Sequence, residues 1–185
     1  MKKHITTAIL YTVITSVLLG IVYPLTVTGI ARVLFPKQAN GELITMNGQL
    51  IGSKLIGQAF TGPTYFHSRL SNAGTGYDAG SSGGSNLAPT SKALLDRTAA
   101  SVTAEAMPNQ PVPVDLVTAS GSGLDPDITP AAALYQVARV AEARHLQPSA
   151  VENLVRTHVT QRQLGLLGEP RVNVLELNLA LATLH

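Results

Sequence analysis

Ser81-Ser82-Gly83-Gly84-Ser85-Asn86 is the densest run of small polar residues in the chain. Consecutive backbone N–H groups in a glycine-rich turn can converge on an anion such as phosphate. The run has neither the lysine nor the spacing of a Walker loop, and no G-x-x-x-x-G-K-[ST] occurs elsewhere. A solvated surface loop is therefore the simpler reading. Ser81, Ser82, Gly83, Gly84, Ser85 and Asn86 remain the candidate nucleotide-binding or partner-binding positions. Asp125-Pro126-Asp127 places two carboxylates side by side. Calcium needs six or more oxygen ligands, and no EF-hand spacing follows. These carboxylates are expected instead to favour the start of the helix after Thr129 by charge–dipole attraction.

Histidines stand at 4, 67, 145, 158 and 185, with no H-x-x-x-H or H-E-x-x-H pair. A zinc site is not expected from such spacing. The chain has no cysteine, which removes disulfides, thiolate metal sites and cysteine nucleophiles together. Ser120-Gly121-Ser122-Gly123 approaches the nucleophile elbow but does not meet G-x-S-x-G. His158 and Asp115 become triad partners only by arbitrary choice, so a serine hydrolase is the weakest functional class. The aspartyl-phosphate motif Asp-Lys-Thr-Gly-Thr is absent. Nothing in the chain offers a visible means of splitting ATP.

Charge narrows the partners. From Arg32 onward basic and acidic residues number eleven each, so the formal charge of +2 resides in Lys2 and Lys3. A nucleic-acid binder needs a basic stripe to release counterions from phosphates. No such run exists, tryptophan is absent, and other aromatics are few. No nucleic-acid partner is expected.

These residues need a scaffold, and it begins with an anchor. No charged residue occurs from Ile5 to Ala31, and Ile5–Leu25 holds eleven Ile, Val and Leu residues. Their summed insertion free energy is on the order of −3 to −6 kcal/mol. About 20 apolar residues cross a bilayer as a helix, and this run supplies them. Thr6, Thr7, Thr12, Thr15 and Ser16 are tolerable because a hydroxyl can bond the carbonyl one turn back. Pro24 lies near the far end, where a kink frees few backbone groups. A cleavable signal has an apolar stretch of only about 7–15 residues before a small-x-small site. Here the run is longer, and Val-Thr-Gly-Ile-Ala before Arg32 is a poor cleavage context. Lys2, Lys3 and the α-amino group outweigh Arg32 and Lys37 modestly, which favours the N-terminus in the cytoplasm and the following domain outside it. Thr12, Ser16, Gly20 and Thr28 offer places for another helix to approach closely. An inert tether is the plain alternative.

Residues 1–35 thus read as a transmembrane anchor and 36–185 as one soluble, extracytoplasmic domain. Residues 43–58 form a hairpin around Asn47-Gly48, both of which accept positive φ. Residues 61–90 are a long irregular loop, and loops of that length are functional or mobile. A helix spans Ser91–Met107, and Val112–Ala119 reads as a buried strand. A second polar loop covers Ser120–Pro130. Thr129 caps a helix with Pro130 at its first position, continuing through Ala131–His145. Pro148 starts another helix, from Ser149 to about Gln163, broken by Gly165 and Gly168. Residues 173–184 favour helix over strand because Asn173 can cap an Ala–Leu-rich tail. The fold class is a single N-terminal transmembrane helix followed by one α+β domain with several helices and a small sheet.

Taken together, these motifs resemble a known family. Tyr23-Pro24-Leu25, Phe35-Pro36, Gln38-Ala39-Asn40-Gly41, Gly52-Ser53 and Ile56-Gly57-Gln58 look like the start of KdpC. KdpC is the C subunit of the bacterial Kdp potassium-transporting P-type ATPase. The resemblance continues through Tyr65-Phe66-His67-x-Arg69 and Ser82–Leu87, and is strongest at Val117–Pro126. Gln136-Val137-x-Arg139-Val140-Ala141 and Gly168–Leu175 carry it to the C-terminus. Departures are local. Leu70 stands where the family usually has proline, and Asp127 and Thr129 occupy positions that are commonly histidine and serine.

The resemblance implies a non-catalytic accessory subunit of a high-affinity, ATP-driven potassium uptake complex in the cell's inner membrane. It implies three partners: a channel-like potassium-translocating subunit, a P-type ATP-hydrolysing subunit and a very small membrane subunit. It also implies a catalytic chaperone that raises the pump subunit's ATP affinity, with ATP in a ternary complex and no metal in this chain. The expected orientation argues against direct ATP contact, because ATP is not available outside the cytoplasm. Assembly, or gating near the potassium entrance, suits that orientation better. If nucleotide does bind, Ser81–Asn86 is the first candidate. A stand-alone, membrane-tethered ligand-binding module is the alternative function.

Overall fold

A computed structural model describes residues 1–184; His185, one of the five histidines noted above, lies outside the described residues. The chain folds as two compact units, one over Met1–Leu43 and the other from Ile44 onward.

The first unit is dominated by a helix over Lys2–Leu34 with no buried residue. It comprises α1 (Lys2–Val17), one π-helical turn over Leu18–Val22, and α2 (Tyr23–Leu34). The wide turn has a covalent cause. Pro24 has no N–H, and its ring presses on the carbonyl four residues back, so the helix opens just before it. Thr6 and Thr7 donate to the Lys2 and Lys3 carbonyls, Thr15 to Tyr11 and Thr26 to Val22, at 2.7–3.1 Å. Each hydroxyl is thus satisfied inside the helix, as a bilayer interior requires. The single turn α3 (Pro36–Ala39) follows.

From Leu43, the last residue of the first unit, β1 (Leu43–Met46) and β2 (Gln49–Ser53) form the expected hairpin. Asn47 (φ 52°) and Gly48 (φ 79°) make its turn. α4 (Lys92–Glu105) lies within the expected range. The expected strand at Val112–Ala119 is instead one helical turn, α5 (Val114–Val117). Burial explains why. Asp115, Leu116 and Val117 are consecutive and buried, whereas Val114 is exposed. Three consecutive inward side chains do not fit the alternation of a half-buried strand. Asp115 also points inward to accept the Thr129 N–H at 2.7 Å.

A small antiparallel sheet has the order β3–β5–β4, with β3 (Asp127–Ile128), β4 (Val159–Thr160) and β5 (Arg171–Asn173). Thr129 caps α6 (Pro130–Tyr135), accepting from Ala132 N–H. The helix expected to run on to His145 is interrupted at Gln136, and α7 covers Val137–Arg144. α8 (Pro148–Thr157) stops six residues before Gln163, because the chain enters β4 at Val159. Asn173 accepts the Glu176 N–H at 3.1 Å and caps α9 (Val174–Leu181). Phe66, Leu116, Ile128, Val140, Val155, Val172 and Leu177 belong to one core shared by α5–α9, the sheet and the 61–90 loop.

Candidate functional site

The 61–90 segment has no regular element, yet much of it is tightly held. Phe66 is fully buried, and its N–H and C=O bond the Asn178 side-chain amide on α9 at 2.9 and 3.0 Å. Next to it, His67 N–H donates to Gln136 Oε1 at 2.7 Å, and Gln136 Nε2 donates to His67 O at 3.2 Å. Two side-chain amides therefore replace a neighbouring strand. Arg139 donates to the Gly62, Pro63 and Tyr65 carbonyls, and Arg144 donates to Thr64 O. This explains the break at Gln136, which is wholly buried and turned toward the loop. Sequence reading did not single out Gln136 or Asn178 for this role. Their signal is an amide at a position that helical spacing makes apolar.

The His67 ring lies between Glu105 Oε1 (3.1 Å) and the Gly62 carbonyl (2.8 Å). The hydrogen bond with His67 holds the Glu105 carboxyl below its usual range, against the opposing effect of half-burial. This contribution to stability is present above the unfolded pKa and is lost as pH falls through the lowered folded value.

Beyond Ser68 the loop docks on the second polar loop. Ser120 N–H donates to Leu70 O, and Ser71 Oγ donates to Gly123 O while accepting from Ala73 and Tyr77 N–H. Ser82 Oγ and Gly83 N–H both donate to Ser122 O, at 2.9 and 2.8 Å. The two loops singled out in the sequence thus form one structure. Within Ser81–Asn86, the Ser81 N–H donates to Asp78 O, so two of the run's amides are engaged inside the chain. Ser81 and Ser82 are exposed, while Gly83, Gly84 and Ser85 are partly covered. Gly84 lies so near Gly121 that a Cβ would come within 2.9 Å of its carbonyl oxygen.

Beside this junction is an open polar groove of about 250 Å³ lined by Arg69, Asp115, Asp125, Asp127, Glu169 and Arg171, among others. Asp125 pairs with Arg69 at 2.9 Å and Asp127 with Arg171 at 2.9 Å. Asp125 Oδ1 accepts the Asp127 N–H, and Asp127 Oδ1 accepts from Asn173 Nδ2. These carboxylates therefore anchor loops to β3 and β5, which corrects their expected role at the α6 N-terminus. Burial pushes the Asp127 carboxyl above its usual range despite the Arg171 guanidinium. A carboxyl whose pKa is raised by burial in a groove beside a charged partner marks a candidate functional position.

The sign of that effect yields a test. A carboxyl with a raised folded pKa contributes stability below its unfolded pKa and loses it as pH rises through the folded one. Asp127→Asn should therefore raise the urea midpoint at pH 7, and that advantage should vanish below about pH 4. A midpoint that falls at pH 7 would mean that the Arg171 pair outweighs desolvation.

Among the described residues, the serines and histidine singled out above do not form a nucleophile–base pair. Ser120 Oγ is buried without a hydrogen-bond partner, Ser122 Oγ accepts the Leu124 N–H, and His158 Nδ1 contacts Leu154 O. Asp115 is engaged with the α6 cap. Among the described residues no three His, Asp or Glu side chains group to hold a metal ion. The geometry provides a multi-loop surface of mixed charge, with Asp125 and Asp127 each paired to an arginine.

The sequence model of the family described as "KdpC: K+-transporting ATPase, c chain" matches residues 5–183. The chain belongs to the KdpC family. It is 62% identical over 183 residues to the potassium-transporting ATPase KdpC subunit of Acidobacterium capsulatum, covering 99% of this chain and all of that one. It is 57% identical to the KdpC subunit of Koribacter versatilis over 184 residues (98% and 95% of the two chains). The Rhodospirillum rubrum KdpC subunit is 60% identical over 170 residues (90% and 88%). The KdpC match spans the apolar helix, both loops and the groove alike.

Proposed function

We propose that this chain is a membrane-anchored accessory subunit of a potassium-transporting ATPase that acts by binding partner subunits, not by catalysis. The observation that carries this is family membership over residues 5–183. It is supported by an apolar helix at Lys2–Leu34 long enough to span a bilayer. The partners are a channel-like potassium-translocating subunit, a P-type ATP-hydrolysing subunit and a small membrane subunit. Gly20, with open space around it, is a contact point for a neighbouring helix, together with Thr12, Ser16 and Thr28.

The N-terminus is cytoplasmic and the domain extracytoplasmic. ATP is then used by the P-type subunit, and any chaperone effect reaches its nucleotide site through conformation. Such an effect requires this chain to bind two pump states with different affinity. Engagement of the Ser81 and Gly83 amides within the chain supports a packing role for Ser81–Asn86 over a nucleotide role.

The test is purification of the tagged full chain from membranes that make the other subunits. Stoichiometric recovery of pump subunits is expected, with the domain cleaved by protease added outside the cells. Assembly of a stable, potassium-transporting complex without this chain would sink the assembly role. A domain protected from external protease would reverse the orientation and return nucleotide contact to Ser81–Asn86.

A further inference from the structure

The connection between β4 and β5 is an arm. Residues 161–169 are all exposed, and the arm continues the pairing of Thr160 with Arg171. Arg162 and Glu169 form an ion pair at its base. Gln163 and Leu167 exchange two backbone hydrogen bonds of 2.9 Å near its end. Its tip presents Leu164, Leu166 and Leu167, which are 91%, 81% and 60% exposed.

The turn at that tip is unfavourable in the isolated chain. Leu164 (φ 54°) and Gly165 (φ 73°) both lie in the left-handed region. The β1–β2 hairpin has the same backbone signs and fills them with Asn47 and Gly48, the residues such a turn favours. Leucine at Leu164 is strained and gains almost no burial in return. Strain together with three solvated leucines on an ordered scaffold signals a contact made outside this chain.

We propose that Leu164, Leu166 and Leu167 form a docking knob that seats in an apolar hollow on another protein subunit of the same membrane complex. This rests on the accessory-subunit reading above and specifies its contact surface. Three observations select the occupant. A bilayer-inserting loop typically carries basic or aromatic flanks. Here no aromatic residue occurs between Val159 and Arg171, and Arg156, Arg162 and Arg171 each pair with a carboxylate. A second copy would need about 800 Å² from each chain for a stable interface, more than three leucines supply. A small knob suffices when the partner is already held beside it, and the apolar helix Lys2–Leu34 provides such a tether.

The test uses the full chain in membranes with its partner subunits. Leu164→Asn, Leu166→Ser and Leu167→Ser are combined, with Leu164→Asn also relieving the turn. The variant is expected to melt no lower than the parent, yet recovery of pump subunits should fall at least about tenfold. A photocrosslinker placed at position 166 of the otherwise unchanged chain should capture one pump subunit. Equal recovery of parent and variant would overturn the knob while leaving the accessory-subunit reading intact. Crosslinks only between copies of this chain would also overturn it, as would tip-dependent binding to phosphatidylethanolamine–phosphatidylglycerol vesicles without partners. Failure of the parent itself to recover pump subunits would overturn both readings.

Discussion

Asn178→Leu is expected to destabilise the unit from Ile44 onward by roughly 2–6 kcal/mol. The estimate follows from two buried backbone groups, each costing about 1–3 kcal/mol when left without a partner. Asn178 accepts the Phe66 N–H and donates to the Phe66 carbonyl, and Phe66 is fully buried. No water reaches that peptide to replace the amide. A domain of this size is stable by about 5–15 kcal/mol, so the loss is a large share of the whole. Urea unfolding of the full chain in detergent, followed by circular dichroism, measures it. Phe66→Ala is expected to cost about 3–5 kcal/mol through its cavity. The two substitutions should not add, because either one releases the same segment. A double variant that loses the full sum would mean that Asn178 and Phe66 act independently, and the clamp reading would fail.

That clamp also marks where sequence reading stops. Local chemistry was legible. Asn47-Gly48 makes a turn because both positions tolerate positive φ, and Thr129 and Asn173 cap helices because each side chain reaches an N–H three residues on. The apolar helix was legible because length and composition alone meet the demand of a bilayer. Contacts between distant residues were not. Asn178 meets Phe66 across 112 positions, and Asp125 meets Arg69 across 56. No short window contains both partners. Asp125 and Asp127 therefore looked like helix-dipole residues, although arginines on other segments hold them. The Val112–Ala119 segment was misread for a related reason. Its apolar spacing suited a strand, but Asp115 is inward because it bonds the Thr129 N–H. Both polar loops were identifiable by composition. That they bind each other through Ser71, Ser82 and Ser122 is a property of the fold.

Gly123→Ala is expected to undock the two loops while sparing the core. Gly123 has φ 69°, and a Cβ there would lie 2.5 Å from Gly83 O and 2.6 Å from Ala73 N. Both obstacles are backbone, so no side-chain rotation relieves the clash. An L residue in the left-handed region costs about 1–2 kcal/mol, and overpacking adds about 1–3 kcal/mol. The cheapest relief is to separate the segments. That breaks the Ser71 bond to Gly123 O and the Ser82 and Gly83 bonds to Ser122 O. The core around Val140, Val155 and Leu177 does not involve Gly123 and should persist. Limited proteolysis should then open new cleavage sites within residues 70–90, while Gly62–Phe66 stays protected by Arg139 and Asn178. If the loop junction is a partner surface, recovery of pump subunits should fall in parallel with that cleavage. Unchanged recovery alongside full loop cleavage would separate the two. It would leave the junction as internal bracing for the groove and shift the burden of partner binding to the arm and the apolar helix.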